Sequence, residues 1–187
     1  LAGVGVNLTC FGGIIPDREN LSRLAGLVVW LRQEVNLPIP IVSGGNSSSL
    51  GMLFEGALPH GINHLRIGEG ILLGKNTATG DPFPQLHQDV FTLSAVLGEV
   101  QEKPSKPIGS TGPNAFGEAV SFPDLGPMRR GIALIGRQDT DWEGLTPRDA
   151  RVKVLGASSD HLIVDLSQAP EYSVGDVLNF DVRYGAL

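Results

Sequence analysis

The chain has few of the residues that staple, anchor or positively charge a protein. Among its 187 residues there is one cysteine, Cys10, so no intrachain disulfide can form. A lone thiol suits a reducing compartment, and its expected role is that of a small buried hydrophobe. No apolar run approaches the ~20 residues that span a bilayer, and residues 1–5 carry no basic segment of the secretory kind. These absences predict a cytoplasmic protein with no membrane partner. Basic residues are outnumbered, 14 Lys and Arg against 20 Asp and Glu, for a formal charge of −6. Arg129-Arg130 is the one basic doublet, which argues against nucleic acid as a partner. Lysine occurs only at Lys75, Lys103, Lys106 and Lys153. No metal site is predicted. An initiator methionine is missing too, and both ends, Leu-Ala-Gly-Val-Gly-Val and Tyr-Gly-Ala-Leu, read as cut edges.

What is present is an ordinary globular composition, 41% apolar and 18% charged, enough for one large or two modest domains. Residues 1–78 alternate strand and helix. A thin strand is expected over 1–8, followed by a helix capped by Asp17. Leu21, Leu24, Ala25, Val28, Leu31 and Val35 give that helix an apolar face, and Pro38 is expected to end it. A strand over 39–42, a helix over 50–58 closed by Pro59, and a strand over 64–73 complete a parallel α/β pattern. From Thr79 helical periodicity disappears, and Asp81-Pro82-Phe83-Pro84 reads as a linker. Strands are expected over 91–100, 131–135, 151–155, 161–166 and 177–182. The proline- and glycine-rich stretch 103–127 reads as a long excursion. The predicted fold class is therefore α/β plus all-β, divided into 1–78 and 79–187.

Two motifs in the first part carry chemistry. Residues 41–50 read Ile-Val-Ser-Gly-Gly-Asn-Ser-Ser-Ser-Leu, a strand that opens into glycines, an amide and hydroxyls before a helix. Small residues admit a ligand to the backbone, and hydroxyls and helix-terminal N–H groups donate to an anion. The same residues also suit a solvated loop with a serine cap. Residues 63–70 read Asn-His-Leu-Arg-Ile-Gly-Glu-Gly and place an arginine at a strand end. In a parallel barrel the carboxyl ends of the strands face the active site. Arg66 and the serine loop would then face one ligand from neighbouring strands, with an arginine–carboxylate surface pair as the plainer alternative.

With Asn7-Leu8-Thr9-Cys10-Phe11-Gly12-Gly13, Gly136-Arg137-Gln138-Asp139 and Gly156-Ala157-Ser158-Ser159-Asp160-His161, these motifs make five in order. Together they resemble the fold type III pyridoxal-phosphate enzymes of the alanine racemase superfamily, above all the ornithine racemase-like branch. The resemblance implies that residues 1–78 are the C-terminal strands and helices of a TIM-type (β/α)8 barrel and 79–187 its C-terminal β-domain. The implied cofactor is pyridoxal 5'-phosphate. The implied activity is interconversion of L and D amino acids by proton transfer at Cα, with ornithine or another basic amino acid as substrate.

Residue by residue, the resemblance assigns Asn46 and Ser47 to the cofactor phosphate, with backbone N–H groups of Gly68 and Glu69 completing that site. It sets Arg66 against the pyridine nitrogen. Arginine stays protonated, so it donates to an unprotonated ring nitrogen and leaves the ring a poorer electron sink, which suits racemisation. Ser159, Asp160 and His161 match the segment that approaches substrate, Asp160 being the residue shared with alanine racemase. Arg137 falls where alanine racemase has its catalytic tyrosine, a departure from the family pattern because arginine is a poor proton carrier. Either another group, Cys10 or His161, carries that proton, or the reaction differs. The family also implies a homodimer, with the β-domain completing the partner's site.

A Schiff-base lysine is required for this chemistry, and none of the four lysines matches the family's. About three to four barrel strands stand where a closed barrel needs eight. The chain is therefore expected to be the C-terminal portion of a longer enzyme and inactive alone. A decarboxylase of the same plan and a non-catalytic phosphate-binding module are the alternatives.

Overall fold

A computed structural model describes residues 1–114 and 116–187. The chain forms two compact units, Leu1–Phe91 and Thr92–Leu187. The stretch Asp81-Pro82-Phe83-Pro84 lies inside the first, where Phe83 is buried and meets Phe54 edge to face at 5.2 Å.

In the first unit, strand β1 (Gly3–Gly5) pairs in parallel with β2 (Ile41–Ser43). The connection is helix α1 (Arg18–Gln33). Asp17 caps it as predicted: its carboxylate accepts from the Asn20 N–H at 2.8 Å, and the Asn20 side chain returns the bond to the Asp17 N–H. Replacing Asp17 with Ala should therefore cost about 1 kcal/mol, read as a lower midpoint in chemical denaturation of this unit. The helix buries Leu21 and Val28, and Val28 packs with Ile39 and Val42.

Several boundaries differ from expectation. Helix α1 ends before Val35, which is exposed, and Asn36 takes a left-handed conformation (φ 55°); that turn, rather than Pro38, closes it. Helix α2 (Leu50–Phe54) stops four residues early because Gly56 is left-handed (φ 64°). The predicted strand over 64–73 is mostly absent. His64 alone bridges to Ser43, and Glu69–Leu73 forms the short helix α3. A short apolar run does not distinguish strand from helix by itself, and here Gly68 and Gly74 bound a single helical stretch.

The second unit is one antiparallel sheet. Its strands are β3 (Leu93–Pro104), β4 (Pro127–Ala133), β5 (Leu145–Pro147), β6 (Lys153–Ala157), β7 (Leu162–Asp165) and β8 (Val177–Val182). The order is β5-β8-β3-β4-β7-β6. Sequence reading missed β5 but found the other five to within a few residues. Along β8 the residues alternate, burying Leu178, Phe180 and Val182, as period-two patterning requires. With Leu97, Leu162, Val164 and Leu166 they form this unit's core.

Candidate functional site

In the first unit the serine loop is an ordered turn, not a solvated loop. Ser47–Ser49 form a turn of 3₁₀ helix with all three serines buried. Asn46 caps it, its side-chain oxygen accepting from the Ser48 N–H at 2.9 Å and from the Ser48 hydroxyl at 2.7 Å. Its amide donates to Asn7.

Ser47 reaches across to the second motif. Its Oγ accepts the Gly68 N–H at 3.2 Å and the Gly70 N–H at 3.0 Å. The structure thus brings Ser47 next to Gly68 and Gly70 and spends their N–H groups on its hydroxyl oxygen. With both lone pairs taken, the Ser47 hydroxyl has its proton left to donate. A Cβ on Gly70 would stand 2.3 Å from Leu50 Cδ1, so Leu50 would have to turn aside.

Arg66 lies beside the same turn. Its Nη1 donates to Ser43 Oγ at 2.5 Å and its Nη2 to the Val6 carbonyl at 2.9 Å. No carboxylate pairs with it among the described residues, which removes the plainer surface-pair reading. A Cβ at Gly5 would come within 3.1 Å of that guanidinium, so the bare strand β1 leaves the room it occupies. A hydroxyl with a free proton and a guanidinium without a carboxylate partner make a donor set that fits a phosphate and an unprotonated ring nitrogen. Cys10, expected to be buried, is exposed.

In the second unit Arg137 and the turn between β6 and β7 are packed together. The Arg137 N–H donates to Ser158 O at 2.9 Å and the Gln138 N–H to Ser159 O at 3.0 Å. Ser158 closes the turn, donating its N–H to His161 O and receiving the His161 N–H on Oγ. The side chains of Ser159, Asp160 and His161 make no hydrogen bond among the described residues, so they are available to a ligand.

Three hydrogen bonds and two aromatic rings hold the Arg137 guanidinium. Nε donates to Ala157 O, the two Nη atoms take the Glu118 carboxylate at 3.3 and 3.1 Å, and Phe116 and Trp142 stack at 4.0 and 5.6 Å. Nothing in the sequence spacing signalled Glu118, which lies in the excursion between β3 and β4. Bonds from Arg137 and then Asn114 hold its carboxyl below the ordinary glutamate range. A depressed pKa means the ionised pair persists as pH falls through that range and releases Arg137 only below it. A side-chain NMR titration should show the Glu118 carboxyl and the Arg137 Nη signals moving together, below the ordinary glutamate range.

No family model matches the chain. Known proteins do. It is 50% identical over its whole length to an ornithine racemase of Acetoanaerobium sticklandii and 43% identical to a lysine racemase of Thermotoga maritima, covering 53% of each. The chain spans about half the length of these relatives. The fold matches solved alanine racemases. For that of Streptomyces coelicolor the TM-score is 0.60 at 18% identity, covering 96% of this chain and 46% of that one. For that of Bartonella henselae, described with covalently bound pyridoxal phosphate, it is 0.59 at 20% identity, covering 96% and 47%. Matched along its whole length by an ornithine and a lysine racemase, the chain has the fold of the corresponding part of the solved alanine racemases.

Proposed function

We propose that the protein of which this chain forms part is a pyridoxal-phosphate-dependent racemase of ornithine or another basic amino acid. The observation that carries this is the meeting of Ser47, Gly68, Gly70 and Arg66 in a chain 50% identical to an ornithine racemase. When bound, pyridoxal phosphate would supply the electron sink that acidifies the substrate Cα proton.

The residues of this chain hold and orient. The Ser47 hydroxyl donates to the phosphate, and Gly68 and Gly70 hold that hydroxyl by their N–H groups. Asn46 caps the turn that carries Ser47 and serves the phosphate through it. Glu69 follows Gly68 at the start of α3 and stays in the phosphate-binding set. Arg66 would face the ring nitrogen, and as a permanent donor it would leave that nitrogen unprotonated. In the β-domain, Asp160 meets the cationic end of the substrate, with Ser159 and His161 beside it. Arg137, locked by Glu118, Phe116 and Trp142, orients the same turn and is not the second base. The proteins act as homodimers in this reading, within the cytoplasm, each β-domain serving its partner's barrel.

Chiral chromatography of L-ornithine and L-lysine incubated with the protein and pyridoxal phosphate tests the reading. Accumulation of the D form to an equal mixture is expected. Release of carbon dioxide and a diamine would favour the decarboxylase, and no turnover with tight cofactor binding the non-catalytic module.

A further inference from the structure

Gly5, Ser43 and His64 lie side by side at one level of three adjacent parallel segments, Gly5 paired with Ser43 and Ser43 bridged to His64. Side chains at matched positions of neighbouring strands point to the same face of a sheet. Gly5 contributes none, and the Arg66 guanidinium fills that space, since a Cβ on Gly5 would stand 3.1 Å from Nη1 and 2.8 Å from Ser43 Cβ. Ser43, only 6% exposed, is the hub. Its Oγ receives Arg66 Nη1 at 2.5 Å and lies 3.0 Å from His64 Nδ1.

The roles at this hub follow from what each group can do. A guanidinium has donors only, so the Ser43 oxygen must accept from Arg66. The hydroxyl keeps a single proton, and His64 Nδ1 is the one other side-chain atom bonded to it among the described residues. A buried hydroxyl proton left without a partner is costly. The proton therefore goes to Nδ1, which must be unprotonated, and the imidazole carries its hydrogen on Nε2.

We propose that His64 and Ser43 are positioning residues for Arg66: His64, as the neutral Nε2–H tautomer, takes the Ser43 proton and fixes the Ser43 oxygen as the acceptor that pins the guanidinium. The chain of donation runs from Arg66 to Ser43 to His64, each bond polarising the next. Arg66 is exposed, so without this anchor its long side chain would sample many rotamers and lose that freedom on meeting a ligand. The Val6 carbonyl holds the other Nη, and the two acceptors together fix the plane of the fork. Neither Ser43 nor His64 touches a ligand in this arrangement; they act through Arg66. Only the consequence for catalysis rests on the racemase reading, because the network itself exists without cofactor.

Nitrogen-15 NMR of the cofactor-free protein, at a pH where histidine is neutral, tests the tautomer directly. His64 should show an unprotonated Nδ1 and a protonated Nε2; the reverse assignment would overturn the proposal. The Arg66 side-chain N–H signals, slowed in the wild type by two acceptors, should rotate and exchange faster in S43A and H64L, where the Val6 carbonyl is the one acceptor still fixed. They should survive in S43T, which keeps the hydroxyl, and in H64N, whose Oδ1 can take the place of Nδ1. Wild-type Arg66 signals in folded H64L would sink the idea. Should H64L not fold, S43A and H64N decide by the same signals. With pyridoxal phosphate added, fluorescence quenching should show roughly tenfold weaker binding for S43A and near wild-type binding for H64N. A protein that passes the NMR tests but racemises nothing would defeat the functional reading and leave this one standing.

Discussion

Replacing Ser47 with Ala should both destabilise the first unit and weaken pyridoxal phosphate binding. Two backbone donors, the N–H groups of Gly68 and Gly70, end on this one oxygen, and Gly70 is buried. Removing the acceptor leaves a buried donor unsatisfied, at about 1–3 kcal/mol. Water cannot readily replace it, because Ser47 is only 3% exposed and Leu50 closes against Gly70. The binding loss is separate. A hydrogen bond to a charged group contributes about 1.5–3 kcal/mol, so affinity for the cofactor should fall ten- to a hundredfold. Urea denaturation of the cofactor-free variant measures the first effect, and fluorescence titration with pyridoxal phosphate the second. An unchanged dissociation constant in a destabilised protein would reduce Ser47 to a structural brace and remove it from the phosphate site.

Gly136→Ala should be comparably severe in the second unit. A Cβ at this position would stand 2.2 Å from Ser159 O and 2.5 Å from Asp160 N. Both are backbone atoms, so no rotamer change relieves the clash. Overpacking of this kind costs about 1–3 kcal/mol, occasionally more. The relief available is to push the 158–161 turn away, which breaks the bonds from Arg137 and Gln138 to Ser158 and Ser159. Displacement by ~1 Å at a positioned site can cost on the order of a hundredfold in rate. The expected pattern is a lower unfolding midpoint, a kcat at least tenfold down and cofactor affinity retained. Loss of cofactor binding with normal kcat would place Gly136 and its turn outside the substrate site.

The two variants also show what was legible beforehand. The order of motifs pointed to both clusters, and the Asp17 cap, the apolar face of α1 and the alternation along β8 are local patterns that a sequence carries openly. Sequence and structure differ where local signals conflict. The short apolar run 64–73 fits strand or helix equally, and Gly56 outweighs the downstream Pro59 as the stop of α2. That Ser47 would take the Gly68 and Gly70 N–H groups had no local signal, since only the turn of α3 decides which N–H points at it.

By itself, then, the sequence determined the class of fold and the local turns that carry the candidate residues, because periodicity, caps and glycine positions act within a few residues of one another. The tertiary structure alone decided the partners. Ser43 meets Arg66 across 23 residues, Arg66 meets Val6 across 60, and Arg137 meets Glu118 across 19. Contacts at such separations depend on strand register and on which face each element presents, and no local spacing encodes either.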